Sequence, residues 1–395
     1  MGQTLDVCRW VYNETLALRK NAWEQEQKSV SNYDAHNLLP EWKVRHPELK
    51  LVYSQVLQEV QQRVDVAYKA FFRRVKNKNK NKNKRNERAG YPRFKGKRRY
   101  DSFTYPQSGF KLDTTTTTNT NKLYLSKIGN VKIILHRAIN GTIKRVNINR
   151  RATGKWFACF TVECSDELEL EPAPVKQPQP FKDGTFNFNV NVKTVGIDVG
   201  LHSFATLSNG EKIENPRFFR HDEKRIAKAQ QKVSTQEKGT TTYKKAKKTV
   251  SLIYEKIANR RDNFVHQLSR QIVNRFGITV FEDLKVKNMV KDNHLSKSIS
   301  DVAWSKFTTY TKNKAEEAGS IVVFVNPNNT SQMCSRCGQI VKEKLKDRIH
   351  SCECGLVIDR DENAAINILR LGLQSLRKSK SKSKIDRSLC REVGE

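Results

Sequence analysis

Apolar residues recur at steps of three and four through residues 5–75, the spacing that lays one face of a helix against a core. The segments "CRWVYNETLALRKNAW" and "LVYSQVLQEVQQRVDVAYKAFFRRVK" carry the pattern. In the second, Val52, Val56, Val60, Val64 and Phe71 or Phe72 make one stripe. It predicts a packed pair of helices whose polar faces are free to touch nucleic acid. Between 101 and 170 the period shortens to two, in "SFTYP", "KLYLSKIGNVKIIL", "TIKRVNINRR" and "KWFACFTVEC", with Gly and Asn turns between them. These predict β structure.

From about 190 onward short apolar runs alternate with long amphipathic ones. "VKTVGIDVGLHSFATLSNGEKI" predicts two strands joined through a loop, with Asn209-Gly210 as a hairpin turn. Long helical material follows from 218 to 275, interrupted at "STQEKGTTT". "ITVFEDL" and "SIVVFVNP" are strands, "DVAWSKFTTYTKNKAEEAG" lies between them as a helix, and "DENAAINILRLGLQSLRK" is a final helix. Strands alternating with helices predict an α/β fold with a mixed sheet.

Three stretches break the periodicity. Residues 76–100, "KNKNKNKNKRNERAGYPRFKGKRRY", are basic and of low complexity, with Tyr91, Phe94 and Tyr100 interleaved as candidates for stacking on bases or sugars. "ELELEPAPVKQPQPFKDG" (167–184) is acidic and then Pro-rich, which marks a domain boundary. The tail, with its run "KSKSKSK", is expected to be disordered.

Charge narrows the function. In 395 residues there are 74 Lys and Arg against 41 Asp and Glu, a formal net charge of +33. An excess this large implies a polyanionic partner, most simply nucleic acid. No apolar run approaches the ~18 residues of a membrane span, so no membrane partner is expected. The opening "MGQTLDVCRW" fits neither a signal peptide nor, with Asp6 where Ser or Thr is needed, a myristoylation site. A cytoplasmic, reducing setting is expected, because half of the eight cysteines cluster while the rest are scattered.

Two constellations carry chemistry. Asp198 lies in the short apolar run "VGIDVG", Glu282 at the end of "ITVFED", and Asp361 at the start of a helix in "DRDENAA". Each alone has a bland explanation: a strand-end turn residue, a solvated end, an N-cap. Together, acids from two strands and a helix start can hold two divalent cations roughly 3.5–4 Å apart, one activating water and the other stabilising the leaving oxygen of a phosphodiester. Carboxylate oxygens suit Mg²⁺ or Mn²⁺. Asp283 and Asp359 are neighbours ranked lower, and alternation does not choose within these pairs, because buried strands need not alternate. The second constellation is Cys334-x2-Cys337, a 14-residue gap, then Cys352-x-Cys354. Four thiolates suit one tetrahedral, structural Zn²⁺, with His350 a possible substitute ligand. The x1 spacing of the second pair departs from the usual x2.

The words "GIDVGLHSFATLSNG", "NPRFFR", "EKIANRRDNFVHQLSRQIV", "FEDLKVKNMV", "LSKSISDVAWSKF", "NPNNTSQMCSRCG" and "DRDENAAINIL" stand in one order from about 195 to 370. They resemble the TnpB family, transposon-encoded relatives of the type V CRISPR effectors with a RuvC-type, ribonuclease H-like nuclease domain. "CRWVYN", "AYKAFFRRVK", "YPRFKGK" and "DSFTYP" extend the resemblance upstream. It implies a multidomain α/β chain: a helical recognition region at 1–90, a β-barrel wedge at 91–185, nuclease at 186–326, a zinc-binding insertion at 327–356, a final nuclease helix at 357–376 and a basic tail at 377–395. The family's extra basic strand has no counterpart ahead of Cys8, so this chain is either truncated or uses another element. By the same resemblance Asp198, Glu282 and Asp361 match the three catalytic acids.

The resemblance further implies an RNA-guided DNA endonuclease in a prokaryotic host. A noncoding transposon-end RNA would serve as guide, with double-stranded DNA as the target and a short adjacent motif read by the protein. Tyr53 to Gln58, Lys69 to Arg73 and the "DTTTTTNTNK" stretch are candidates to read that motif. A monomer with its RNA is expected, with a dimer the other possibility. Two other readings stand beside it: a non-cutting RNA-guided binder or transposition regulator, and a guide-free RuvC-like transposase or resolvase.

Overall fold

A computed structural model describes residues 1–80, 89–97, 99–114, 121–164, 192–284, 289, 301–343 and 347–389, with backbone alone at 79–80 and 377–389. The linker at 167–184, the threonine run at 115–120, the basic stretch at 81–88 and the end of the tail at 390–395 lie outside the described residues. The chain divides into two compact units, Met1–Leu168 and Glu169–Glu395.

In the first unit, helices α1 (Gly2–Glu26), α2 (Asn32–Asn37), α3 (Leu39–Arg45) and α4 (Ser54–Lys80) precede six strands. The expected stripe is the core face of α4: Val56, Val60 and Val64 are fully buried, and Val52, just ahead of the helix, joins them. Phe71 continues the stripe, half-buried. Phe72 is eight residues beyond Val64, swings off the face and is 59% exposed.

The strands are β1 (Ser102–Tyr105), β2 (Phe110–Asp113), β3 (Asn121–Leu125), β4 (Gly129–Ile133), β5 (Thr142–Arg150) and β6 (Trp156–Glu163). Where a barrel was expected, the described residues form two three-stranded antiparallel sheets, β1-β5-β6 and β2-β3-β4. Phe103, Tyr105, Val146 and Ile148 from one sheet and Leu123 and Leu125 from the other share a single core with α1 and α4. The helices supply the second layer, so neither sheet has to close on itself to bury its apolar face. Arg63 of α4 ties helix to sheet, donating to the Ser102 carbonyl (2.8 Å) and the Thr104 hydroxyl (2.7 Å).

Two candidate contacts change. Tyr100 is 6% exposed, packed against Tyr12, and is core rather than a stacking surface. It stands two residues before β1, whose own apolar residues draw it inward. Val56 and Leu57 are likewise fully buried, so only the polar positions of 53–58 face outward. Tyr91 and Phe94 remain exposed.

The second unit is built on a five-stranded mixed sheet of β7 (Thr194–Val199), β8 (Ser203–Leu207), β9 (Lys212–Glu214), β10 (Ile278–Glu282) and β11 (Ile321–Val325), in the order β11-β10-β7-β8-β9. Strands β7, β10 and β11 are parallel; β8 and β9 complete an antiparallel meander. The stretch expected to hold two strands therefore holds three. The Asn209-Gly210 turn, with Gly210 at φ 85°, joins the second to the third, and only a residue tolerant of positive φ fits there.

Helices α5 (Phe218–Ser234) and α6 (Thr241–Arg275) follow the meander, and α7 (Trp304–Glu317) links β10 to β11. Val195, Ile197, Phe204 and Phe281 bury one face of the sheet against Val265, Leu268 and Ile272 of α6 and Phe307 of α7. Ile278, Val280 and Val325 bury the other face against Ile368 of the last helix, α8 (Arg360–Leu389). A two-stranded ribbon, β12 (Ile349–Ser351) with β13 (Val357–Asp359), leads into α8. Helical backbone continues through 377–389, where a disordered tail was expected; Lys, Arg and Leu are good helix formers and extend the helix the apolar stripe begins. Among the described residues no helix is long and apolar enough to cross a membrane.

Candidate functional site

The register of β7 against β10 pairs Val280 with Gly196 and Phe281 with Ile197. The next residues on these parallel strands are Asp198 and Glu282, side by side at the C-terminal edge of the sheet. Alternation sets which way they point. Val195 and Ile197 face α6 and α7, so Gly196 and Asp198 face α8. Ile278 and Val280 face α8, and Glu282 continues that face. Asp283 is exposed, outside the alternation that brings Glu282 to α8.

Close packing brings α8 to the acids. A Cβ on Gly196 would lie 2.2 Å from the Ala365 carbonyl and 2.6 Å from the Leu369 amide. A Cβ on Gly372 would lie 2.5 Å from both methyls of Val280. Glycine at both points lets helix and sheet backbones approach closely, and this sets the first turn of α8, with Asp361, over the sheet edge.

Asp359 caps that helix: its Oδ1 accepts from the amides of Asp361 (3.0 Å) and Glu362 (3.2 Å), and its Oδ2 pairs with Lys212 at 2.5 Å. Burial opposes ionisation of Asp359, but the Lys212 ammonium and those amides hold its carboxyl below the usual carboxylate range. Asp361, considered as an N-cap, is not one; among the described residues it pairs with Arg348, 3.9 Å away.

The electrostatics of the cluster are those of crowded carboxylates only partly compensated by their neighbours. Asp198 is pushed well above its ordinary value by burial, then by the charges of Glu282 and Asp361, with Arg360 and the Val199 amide working against this. Glu282 is raised by burial and eased by a hydrogen bond from the Thr330 hydroxyl. Three acids brought near one another from β7, β10 and α8 could offer oxygen donors to a divalent cation, which would relieve the crowding.

The four cysteines come together beside α8. Their sulfur atoms all lie within 4.8 Å of one another, with Cys334 3.6 Å from Cys354 and Cys337 3.5 Å from Cys352. Among the described residues this is the one group of three or more potential ligands drawn that close; the three carboxylates are spaced more openly. The group could bind a zinc ion, and the short Cys352-x-Cys354 spacing still delivers both sulfurs.

His350 is buried, pairs through Nδ1 with Glu343 at 2.6 Å, and is not one of the four grouped ligands. Burial pushes the Cys334 thiol up, but the Cys337 amide, His350 and the Arg336 amide outweigh it and bring it to about 5. Cys352 goes the other way, up to about 12. The Cys354 amide opposes that rise, but burial and hydrogen bonding with the Cys337, Cys354 and Cys334 thiols outweigh it.

Buried polar residues of α8 that had no role assigned from sequence hold the loop between the two constellations. Asn363 Nδ2 donates to the Met333 carbonyl (2.8 Å) and its Oδ1 accepts from the Ser335 amide (2.9 Å). Asn367 Nδ2 donates to the carbonyls of Thr330 (2.9 Å) and Met333 (2.5 Å). Asn363 and Asn367 are fully buried. Their signal was present in "DENAAINIL": two amides four residues apart, inside an apolar helical stripe.

Comparison with known proteins agrees with this architecture. A family model described as "Probable transposase" matches residues 183–293, one described as "Cas12f1-like, TNB domain" matches 304–368, and a "Helix-turn-helix domain" model matches 1–28. A Streptomyces pristinaespiralis protein named "Putative RNA-guided DNA endonuclease" is 33% identical over 382 residues, covering 94% of this chain and 85% of the relative. An Escherichia coli K12 protein, "Putative RNA-guided DNA endonuclease InsQ", is 29% identical over 391 residues, covering 94% and 88%. Among solved structures, a Cas12f1–sgRNA–target DNA complex matches in fold with TM-score 0.57 at 14% identity, over 93% of this chain and 81% of that one. On this likeness over nearly its whole length, the chain belongs to the TnpB family of transposon-encoded RNA-guided DNA endonucleases.

Proposed function

We propose that this chain cuts double-stranded DNA at a ribonuclease H-like centre formed by Asp198, Glu282 and Asp361, guided by a noncoding RNA. The convergence of these acids from two parallel strands and a helix start, in a chain of net charge +33, is the observation that carries the reading. The sheet order, an antiparallel meander flanked by two further parallel strands, supports a RuvC-like layout. Bound Mg²⁺ or Mn²⁺ ions would activate the attacking water and stabilise the leaving oxygen.

The protein's own part is to hold the ligands. Strands β7 and β10 fix Asp198 and Glu282 in register, and α8 adds Asp361 while Asp359 attends to the helix end. The four cysteines would hold one structural Zn²⁺, leaving no ligand position open for chemistry. Base pairing to the guide would supply sequence specificity, while the basic surface holds RNA and heteroduplex by shape and backbone.

Sequencing the RNA that co-purifies with the protein, expressed with its native flanking DNA, tests the guide. A discrete RNA ending in sequence from beyond the element is the expected result. Absence of any specific RNA would favour the guide-free nuclease.

A further inference from the structure

Glu282 ends β10, where the ladder no longer fixes its side chain on both sides. Its hydrogen-bond partner among the described residues is the hydroxyl of Thr330. Thr330 is 3% exposed. Its hydroxyl also lies 3.2 Å from the Pro327 carbonyl, but with one proton to give, donation to the closer carboxylate takes precedence.

Thr330 is itself held firmly. Its carbonyl accepts from buried Asn367, which also grips Met333, and Asn363 grips Met333 and Ser335. Arg370 donates to the Ser335 carbonyl. Asn363, Asn367 and Arg370 follow at steps of four and three, one face of α8. Burying amides is costly unless their hydrogen bonds are made, and Asn363 Nδ2, Asn363 Oδ1 and Asn367 Nδ2 make theirs. These bonds are spent on the six-residue span from Thr330 to Ser335, which carries Cys334 within it.

We propose that Thr330 is the positioning residue for Glu282, its hydroxyl pinning one carboxylate oxygen so that the other is aimed at the cation shared with Asp198 and Asp361. This rests on the reading of those acids as cation ligands. Outer partners of this kind set ligand orientation and are worth roughly 10–100-fold in metal affinity. The loop also places Thr330 and the cysteine knuckle on one rigid segment, so the same amides that seat the knuckle aim Glu282.

The test is Mn²⁺ binding by the full chain, read by the electron paramagnetic resonance of free Mn²⁺. Site binding is the difference between each chain and its Asp198→Asn counterpart, which cancels ions held by co-purified nucleic acid. Zinc content and melting temperature are recorded alongside. Thr330→Val keeps the shape and loses the proton; it is expected to weaken site binding roughly 10-fold or more with zinc retained. Thr330→Ser restores the hydroxyl and is expected to recover most of the affinity. Wild-type affinity in Thr330→Val would overturn the proposal. So would equal weakening by Val and Ser, which would make the loss one of packing. If Asp198→Asn leaves Mn²⁺ binding unchanged in the wild-type background, the acid-site reading fails first, and the two failures are thereby distinguished.

Discussion

Asp359 accepts a hydrogen bond from the backbone amide of Asp361, so one acid closes the helix end and the other is left to the cluster. The division of labour predicts different losses. Asp359→Ala should cost about 1 kcal/mol of stability, as the loss of a cap does, and the cost should shrink at low pH. Its carboxyl is held below the usual range, so its contribution is complete above its unfolded value of about 3.9 and is lost as pH falls through the folded one. Thermal unfolding between pH 7 and pH 3 measures this; a deficit that stays constant with pH would contradict it.

Asp198 predicts the opposite sign. Its folded value is raised, so ionisation at neutral pH works against the metal-free fold, and the penalty grows as pH rises above the unfolded value of about 3.9. Metal-free Asp198→Asn should therefore be more stable than wild type at pH 7, by about 1 kcal/mol or a few degrees in melting temperature. The gain should vanish towards pH 4 and diminish when Mg²⁺ is added. An unchanged melting temperature at pH 7 would refute the crowding of charge.

Gly196→Ala should damage the second unit without touching any acid. The added methyl meets the backbone of Ala365 and Leu369, which cannot rotate away. A cost of about 1–3 kcal/mol is expected for such overpacking, with cleavage falling because α8 and Asp361 shift together. Wild-type thermal stability would show that helix and sheet are not packed this closely.

One zinc per chain should be found by metal analysis. Cys334→Ser should lower zinc occupancy and melting temperature together, since a structural zinc contributes its binding energy to the fold. A chain without zinc at full stability would remove the knuckle's structural role.

Much of this was legible in the sequence because periodicity reports burial directly. The valine stripe of α4, the interruption between α5 and α6 at "STQEKGTTT", and the short apolar runs of β10 and β11 all lie where the pattern put them. The preference for Glu282 over Asp283 comes from the family resemblance and not from the residue pattern, because the direction each side chain takes depends on which face of the sheet α8 covers, and that is a tertiary fact. The same holds for Asp361 over Asp359, which turns on where the helix starts. Tyr100 misled because an aromatic residue in a basic stretch looks like a stacking surface until a strand two residues later draws it into the core. Thr330, Asn363 and Asn367 carried no chemical motif; only their hydrogen bonds reveal what they hold.

Cleavage of a DNA target matched to the co-purified RNA, in Mg²⁺, tests most directly whether the three acids form the centre of an RNA-guided nuclease. Wild type should cut both strands of matched DNA and spare unmatched DNA. Asp198→Ala, Glu282→Ala and Asp361→Ala should each bind the same RNA and lose cleavage by about 10³-fold or more, the several kcal/mol that bound metal ions supply. Normal cutting by any of the three, or equal cutting of unmatched DNA, would contradict it.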